Sequence, residues 1–307
     1  MVELTAAAVP IRINRRLIPR WTMAWPALVW WTVFFIVPLF WIVLYSFGSR
    51  PGAEAPGPVA LETLSFDNYR QALSEIFFRV FQITMRTAGL GTILCALIGF
   101  PVAYAIAMHV PPRWRSILVF LLIVPYWTSF LLRTFAWRII LAPQGTLSEV
   151  LQAIGILGRP LLILDTNAAV QLGIVYNYLP VMILPIYVAL ERIDTSLIKA
   201  SMDLGAGPLQ TFLQVTLPLA APGLFGGLVL TFILAAGDYV VPTILGGTKG
   251  LMVGNLIATQ ILASQNLPLG SAMAVMLIGL LAGVLILVAL LLFVLQRLLK
   301  LVRGAPL

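Results

Sequence analysis

Charge is scarce in this chain. Of its 307 residues, 10% are Asp, Glu, Lys or Arg, while 61% are hydrophobic. Soluble domains carry about 25% charged residues, so a soluble fold of this composition would lack the polar side chains to cover its surface. An integral membrane protein is what remains. His109 and Cys95 are the only histidine and cysteine. A lone cysteine excludes an intrachain disulfide, and neither residue has a partner at metal-ligand spacing, so no metal site and no catalytic role is expected. Cys95 lies in an apolar run and reads as a small packing residue. A G-x-x-x-x-G-K-[ST] phosphate loop is also missing; GGTKG at 246–250 lacks both the spacing and the following Ser or Thr. The spans hold no paired carboxylates, which removes the constellation an enzyme would need. The net charge of +8 comes mostly in short basic groups beside apolar segments. That pattern orients a membrane protein and is no nucleic-acid footprint.

Long charge-free runs are what the chain does have. No charge stands between Arg20 and Arg50, and 24–47 is almost wholly apolar. That exceeds the ~20 residues needed to cross ~30 Å of hydrocarbon at a rise of ~1.5 Å per residue. RINRR at 12–16 would also suit a signal peptide. The run is too long for one and no small-residue cleavage site follows, so a retained span is expected. Five more spans are expected: 87–108 with Pro101, 116–137 broken late by Arg133, 166–190 with Pro180 and Pro185, 222–245 interrupted by Asp238, and 271–295. Their lengths fit helices, not the shorter strands of a barrel. The expected order is an N-terminal segment 1–23, a first span 24–47, a loop 48–86, a core membrane domain 87–296 with a loop at 191–221, and a tail 297–307.

Lysine and arginine near the span ends set the orientation. Arg12, Arg15, Arg16 and Arg20, then Arg113 and Arg115, Arg192 and Lys199, and Arg297, Lys300 and Arg303 fall on one side of a six-span layout. That side is expected to be the cytoplasm, with both termini inside and loop 48–86 in the periplasm. Arg50, Arg70, Arg79 and Lys249 fall opposite, and Glu54, Glu62, Asp67 and Glu75 balance those of the first outer loop. Within that loop, Arg50 to Pro58 reads as a flexible connector. Ser65 to Phe81 reads as a short interfacial helix with Asp67 and Asn68 placed to cap it.

The longest interruption in the second half is LIKASMDLGAGPLQTFLQVTLPLAAPG, Leu197 to Gly223. Asp194, Thr195 or Ser196 can cap a helix start. Gly205, Gly207 and Pro208 then end a run over Leu197–Leu204, because glycine takes positive φ and proline cannot continue the ladder. A second run, Leu209–Leu217, puts Phe212, Val215 and Leu219 on one face. A helix, a sharp turn and a helix are therefore expected. Whether its apolar residues pack on the chain's own spans or dock on a partner is left open by the pattern.

This loop resembles the cytoplasmic EAA loop of ABC importer permeases. Ala200 and Ser201 stand for the two alanines, Asp203, Leu204, Gly205 and Ala206 for its D-L-G-A core, and Thr216, Leu217 and Pro218 for its closing triplet. Lys199 departs from the pattern, standing where the family has glutamate. Further segments are similar to the first permease subunit of spermidine/putrescine importers. They are Phe66, Asn68 and Tyr69; Gly99, Pro101, Ala103 and Tyr104; Val124-Pro125-Tyr126-Trp127-Thr128-Ser129-Phe130 with Arg133, Thr134 and Trp137; Gly237-Asp238-Tyr239-Val240 with Pro242, Leu245, Gly246 and Gly247; and Asn266, Pro268, Leu269 and Gly270. The resemblance implies a type I importer fold in the inner membrane. It implies a second, homologous permease, an ATPase dimer carrying ATP and Mg, and a periplasmic substrate-binding protein as partners. The loop would seat in an ATPase groove through Lys199, Ala200, Ser201, Asp203, Leu204, Gly205, Ala206, Leu217 and Pro218. Polyamines are the implied solute, with opine-like compounds and aminophosphonates as alternatives. A self-contained secondary transporter would need inverted repeats or several intramembrane charges, and neither is found.

Asp238 is the only carboxylate inside an apolar span. Burial there is costly unless it meets water or a partner. It reads either as a counter-charge on a cation path or as a cap for backbone groups freed by Pro242. Tyr126, Trp127 and Tyr239 suit an ammonium by cation–π attraction or an interfacial aromatic belt. Arg133 and Arg138 can snorkel, pair with Asp238 or meet the binding protein. Tyr176, Asn177 and Tyr178 are polar enough to face the interior.

Overall fold

The computed structural model describes residues 20–51, 58–247 and 250–302, with side chains for 24–51, 58–247 and 250–290. Arg12, Arg15 and Arg16 of the N-terminal segment, the 52–57 part of the connector, Lys249 and Arg303 lie outside the described residues. The described chain is helical, with one bridge between Ser49 and Ala60 that closes the base of the connector.

The helices are α1 (Ala24–Ser46), α2 (Asp67–Ala72), α3 (Glu75–His109), α4 (Pro112–Trp127), α5 (Phe130–Ile140), α6 (Thr146–Ala153), α7 (Asn167–Glu191), α8 (Thr195–Asp203), α9 (Pro208–Gly237), α10 (Val240–Leu245), α11 (Val253–Ala263) and α12 (Leu267–Val302). Five of them, α1, α3, α7, α9 and α12, are long and apolar enough to cross a membrane; the pair α4–α5, bent by 88°, is a sixth if it counts as one broken span rather than a re-entrant loop.

The core is the trio α3, α7 and α9, packed pairwise. Small residues let their backbones approach, as expected where lipid offers no hydrophobic drive. A Cβ on Gly223 of α9 would fall 2.4 Å from the Pro185 carbonyl oxygen of α7, so only glycine permits this crossing. α1 stands apart. Its end packs on α12, with Asn68 Nδ2 donating to the Ser46 and Gly48 carbonyls and the Tyr69 hydroxyl 2.6 Å from Ser46 Oγ. Trp25, Trp30, Phe34, Phe35 and Phe40 along the rest of α1 are exposed.

Several expected boundaries move. The second span begins at Glu75, not Thr87, because Ser74 Oγ accepts from Phe77 N–H and starts a helix that passes through Arg79 and Arg86 without a break. The interfacial helix is accordingly only Asp67–Ala72, and Asn68 binds the end of α1 instead of capping it. The third span breaks at Pro125–Ser129, before Arg133, and its two halves meet at 88°. The fourth begins as expected, Thr166 Oγ1 accepting from Ala169 N–H, and stays helical through Pro180 and Pro185. The fifth starts at Pro208, so the second arm of the 191–221 loop is the foot of α9. The sixth starts at Leu267 rather than Ser271. Two helices, α6 and α11, were not expected. Thr84 Oγ1 ties α11 to α3 by accepting Val253 N–H at 2.9 Å.

Candidate functional site

Two places bring the candidate residues together. The first lies where two helix breaks meet the middle of an unbroken helix, α7. The α4–α5 break presents Tyr126 and Trp127, the α9–α10 break presents Asp238 and Tyr239, and the middle of α7 presents Asn177 and Tyr178.

Asp238 is 6% exposed. Its Oδ1 accepts from the N–H groups of Val240 and Val241 at 2.8 and 3.2 Å, which caps the start of α10. The groups capped are thus those of Val240 and Val241 and do not depend on Pro242. Oδ2 is buried and has no hydrogen-bond partner among the described residues. The Tyr178 hydroxyl stands beside this carboxylate, outside strict hydrogen-bond geometry. Asn177 is 1% exposed; its Nδ2 donates to the Gly173 carbonyl at 3.0 Å and reaches Thr134 Oγ1 at 3.5 Å, while its Oδ1 has no partner. The Tyr126 hydroxyl donates to the Asn177 backbone oxygen at 2.6 Å.

Arg133 lays its guanidinium over the Tyr126 ring, 4.8 Å from the centroid, and lies 5.9 Å from that of Phe130. Neither expected arginine pairs with Asp238. Arg138 pairs with Asp165 at 3.6 Å and donates to the Ile244 carbonyl, joining α5 to α10. Sequence reasoning missed Asp165; its place just before the Thr166 cap was the available signal. The three aromatic candidates do not converge. Trp127 is 73% exposed and packs edge-on against Phe120, and Tyr239 is half exposed without a ring contact among the described residues. A buried carboxylate oxygen and a buried amide oxygen, both unpartnered, are each free to accept from a donor-rich group such as an ammonium.

The second place is the 191–221 loop. Asp194 Oδ1 accepts from Ser196 N–H at 2.9 Å and starts α8. That bond holds the Asp194 carboxyl below its ordinary range. Gly205 ends α8 at φ +88°, and a Cβ there would meet nothing, so backbone conformation alone requires glycine. Ser201 Oγ and Thr211 Oγ1, 3.1 Å apart, clamp α8 to α9. Lys199, Ala200, Asp203 and Leu204 face solvent, Leu204 at 89% exposure, whereas Ala206 and Leu217 are half-buried. The inward face differs from the one expected. A π turn over Phe212–Thr216 rotates the helix, so Thr211, Thr216 and Ala220 are buried and Leu219 is exposed. Phe212 sets its edge against Phe100 and Tyr104 of α3, joining the loop to the core.

Helices that cross a membrane, a polar cluster at their breaks and an exposed helical elbow on one side define a permease-type transport subunit. Residues 96–302 match the family described as "Binding-protein-dependent transport system inner membrane component", and the chain belongs to that family. It is 38% identical over 275 residues to the spermidine/putrescine transport system permease protein PotB of Haemophilus influenzae, covering 89% of this chain and 92% of that protein. The Escherichia coli PotB is 36% identical over 246 residues, 80% of this chain and 88% of that one. The inner membrane ABC transporter permease protein YdcU of Escherichia coli is 32% identical over 261 residues, 80% of each. Among solved structures, a bacterial ABC transporter that imports the acidic polysaccharide alginate contains a chain of the same fold, with TM-score 0.70 at 16% identity, covering 87% of this chain and 92% of that chain. The MetNI methionine ABC transporter gives a TM-score of 0.51 at 21% identity, covering 75% and 99%. The chain is therefore an inner-membrane transport subunit with the type I importer permease fold, not an enzyme.

Proposed function

We propose that this chain is the first permease subunit of an ATP-driven importer and forms, with a second homologous permease, the pathway for a small organic cation of the polyamine class. The observation that carries the cation reading is the pair of buried, unpartnered acceptors: Asp238 Oδ2 at the α9–α10 break and Asn177 Oδ1 in the middle of α7. Non-helical backbone at membrane depth is tolerated where it lines a cavity, and a carboxylate there is a counter-charge for a cationic solute. The names of the PotB relatives support spermidine or putrescine as the solute.

The 191–221 loop is the coupling element of this reading. Its exposed surface offers Leu204, Leu209 and Leu213 to a partner groove, with Lys199 as a basic contact. Seating there on an ATPase lets closure of the ATPase dimer push α9 directly, because the second arm of the loop and the span are one helix. The positive-inside bias supports a cytoplasmic side for this loop and both termini, and in this reading a periplasmic binding protein delivers the solute to the opposite side. ATP and Mg belong to the ATPase. The test is affinity purification of the tagged chain from its native membrane. An ATPase, a second permease and a soluble binding protein are expected to co-purify in fixed ratio; a homogeneous chain free of any ATPase would overturn the reading.

A further inference from the structure

The Tyr126 side of the polar cluster already carries a cation of its own. Arg133 stands one residue before Thr134, whose hydroxyl reaches Asn177, and its guanidinium covers the Tyr126 face. Its Nε is buried and donates to no acceptor among the described residues. Arg133 is joined to Asn177 through Tyr126, whose hydroxyl donates to the Asn177 backbone oxygen, and Asp238 stands beside Tyr178, the next residue of α7. Buried polar groups are ordinarily satisfied, and leaving them unmade is costly. Among the described residues Arg133 forms no ion pair, with Asp238 or with any other carboxylate.

We propose that Arg133 is a tethered competitor for the solute. It holds the aromatic face of Tyr126 in the solute-free state, and an incoming ammonium displaces it while bonding to Asp238 Oδ2 and Asn177 Oδ1. This rests on the cation-pathway reading above. It adds a consequence: Arg133 determines which amines enter. A monoamine gains the acceptors but must displace the guanidinium with one charge. A di- or triamine has a second ammonium to take the vacated ring, so Arg133 selects for multivalent amines.

The experiment uses the complete transporter in proteoliposomes with wild type, Arg133→Gln and Arg133→Lys, measuring uptake of labelled putrescine and of butylamine. Arg133→Gln is expected to lower KM for butylamine by about threefold to tenfold, the size of one partly desolvated cation–π contact, and to narrow the diamine-over-monoamine preference. Methylguanidinium added to Arg133→Gln is expected to restore the preference by reoccupying Tyr126, and Arg133→Lys to fall between. Unchanged selectivity in all three with normal assembly, or a uniform fall in maximal rate without a KM change and without rescue, would overturn the proposal. If wild type itself takes up no amine, the cation reading fails first, and that outcome is distinct from a failure of the Arg133 role.

Discussion

Asp238 does two jobs with two oxygens. Oδ1 caps α10 through Val240 and Val241, and Oδ2 has no hydrogen-bond partner among the described residues. Substitution separates them. Asn keeps an oxygen for the cap and removes the charge; Ala removes both and forfeits about 1 kcal/mol of capping. Asp238→Asn is expected to assemble normally and lose at least about tenfold in uptake, the least that one charge-assisted contact contributes. Asp238→Ala is expected also to unfold at lower temperature by light-scattering melts. Uptake by Asp238→Asn at the wild-type rate would leave the carboxylate a structural cap only. Asp194 acts on a different residue-level scale, that of pH. Its carboxyl is held low by Ser196 N–H, so the stability it contributes is complete above its unfolded value of about 3.9 and is lost only as pH falls through the lower folded value.

At the scale of elements, the loop is a rigid elbow. Asp194 starts it, Gly205 turns it at positive φ, the Ser201–Thr211 contact clamps it, and Phe212 presses it on α3. A side chain at φ +88° costs about 1–2 kcal/mol, enough to reshape the turn without disturbing the spans. Leu204→Asp leaves the turn intact and removes an exposed apolar contact. Both Gly205→Val and Leu204→Asp are expected to keep the two permeases together on gel filtration while losing the ATPase band; retention of the ATPase by both would count against the elbow as the docking element. The glycine turn was legible because Gly205, Gly207 and Pro208 punctuate it, and the start of α7 was legible because Thr166 precedes an apolar run. The start of α3 was hidden by Glu75, Arg79 and Arg86, which interrupt the apolar run without interrupting the helix. α11 was hidden by its length, too short for a span and too apolar for a loop. The 88° bend at Pro125–Ser129 departs from the late break expected at Arg133, because the angle depends on what α5 packs against. At the polar cluster, Asp238 and Asn177 could be named from sequence. The stacking of Arg133 on Tyr126 and the pairing of Arg138 with Asp165 could not, since side-chain direction across a helix break has no periodic signature.

At the scale of the whole molecule, the trio α3, α7 and α9 links the elbow to the cluster. α9 runs from Pro208 at the elbow to Gly237 beside Asp238, about 45 Å at 1.5 Å per residue. A push at one end is therefore delivered to the other by a single helix, which is the mechanical content of the proposed coupling. The same chain has no phosphate loop, so the push must originate elsewhere. The most direct measurement is uptake of labelled spermidine into proteoliposomes, comparing this chain alone with this chain plus the second permease, the ATPase and the binding protein. Uptake is expected only in the full assembly, only with hydrolysable ATP, and independent of any imposed ion gradient. Uptake by the chain alone, driven by an ion gradient without ATP, would contradict the account.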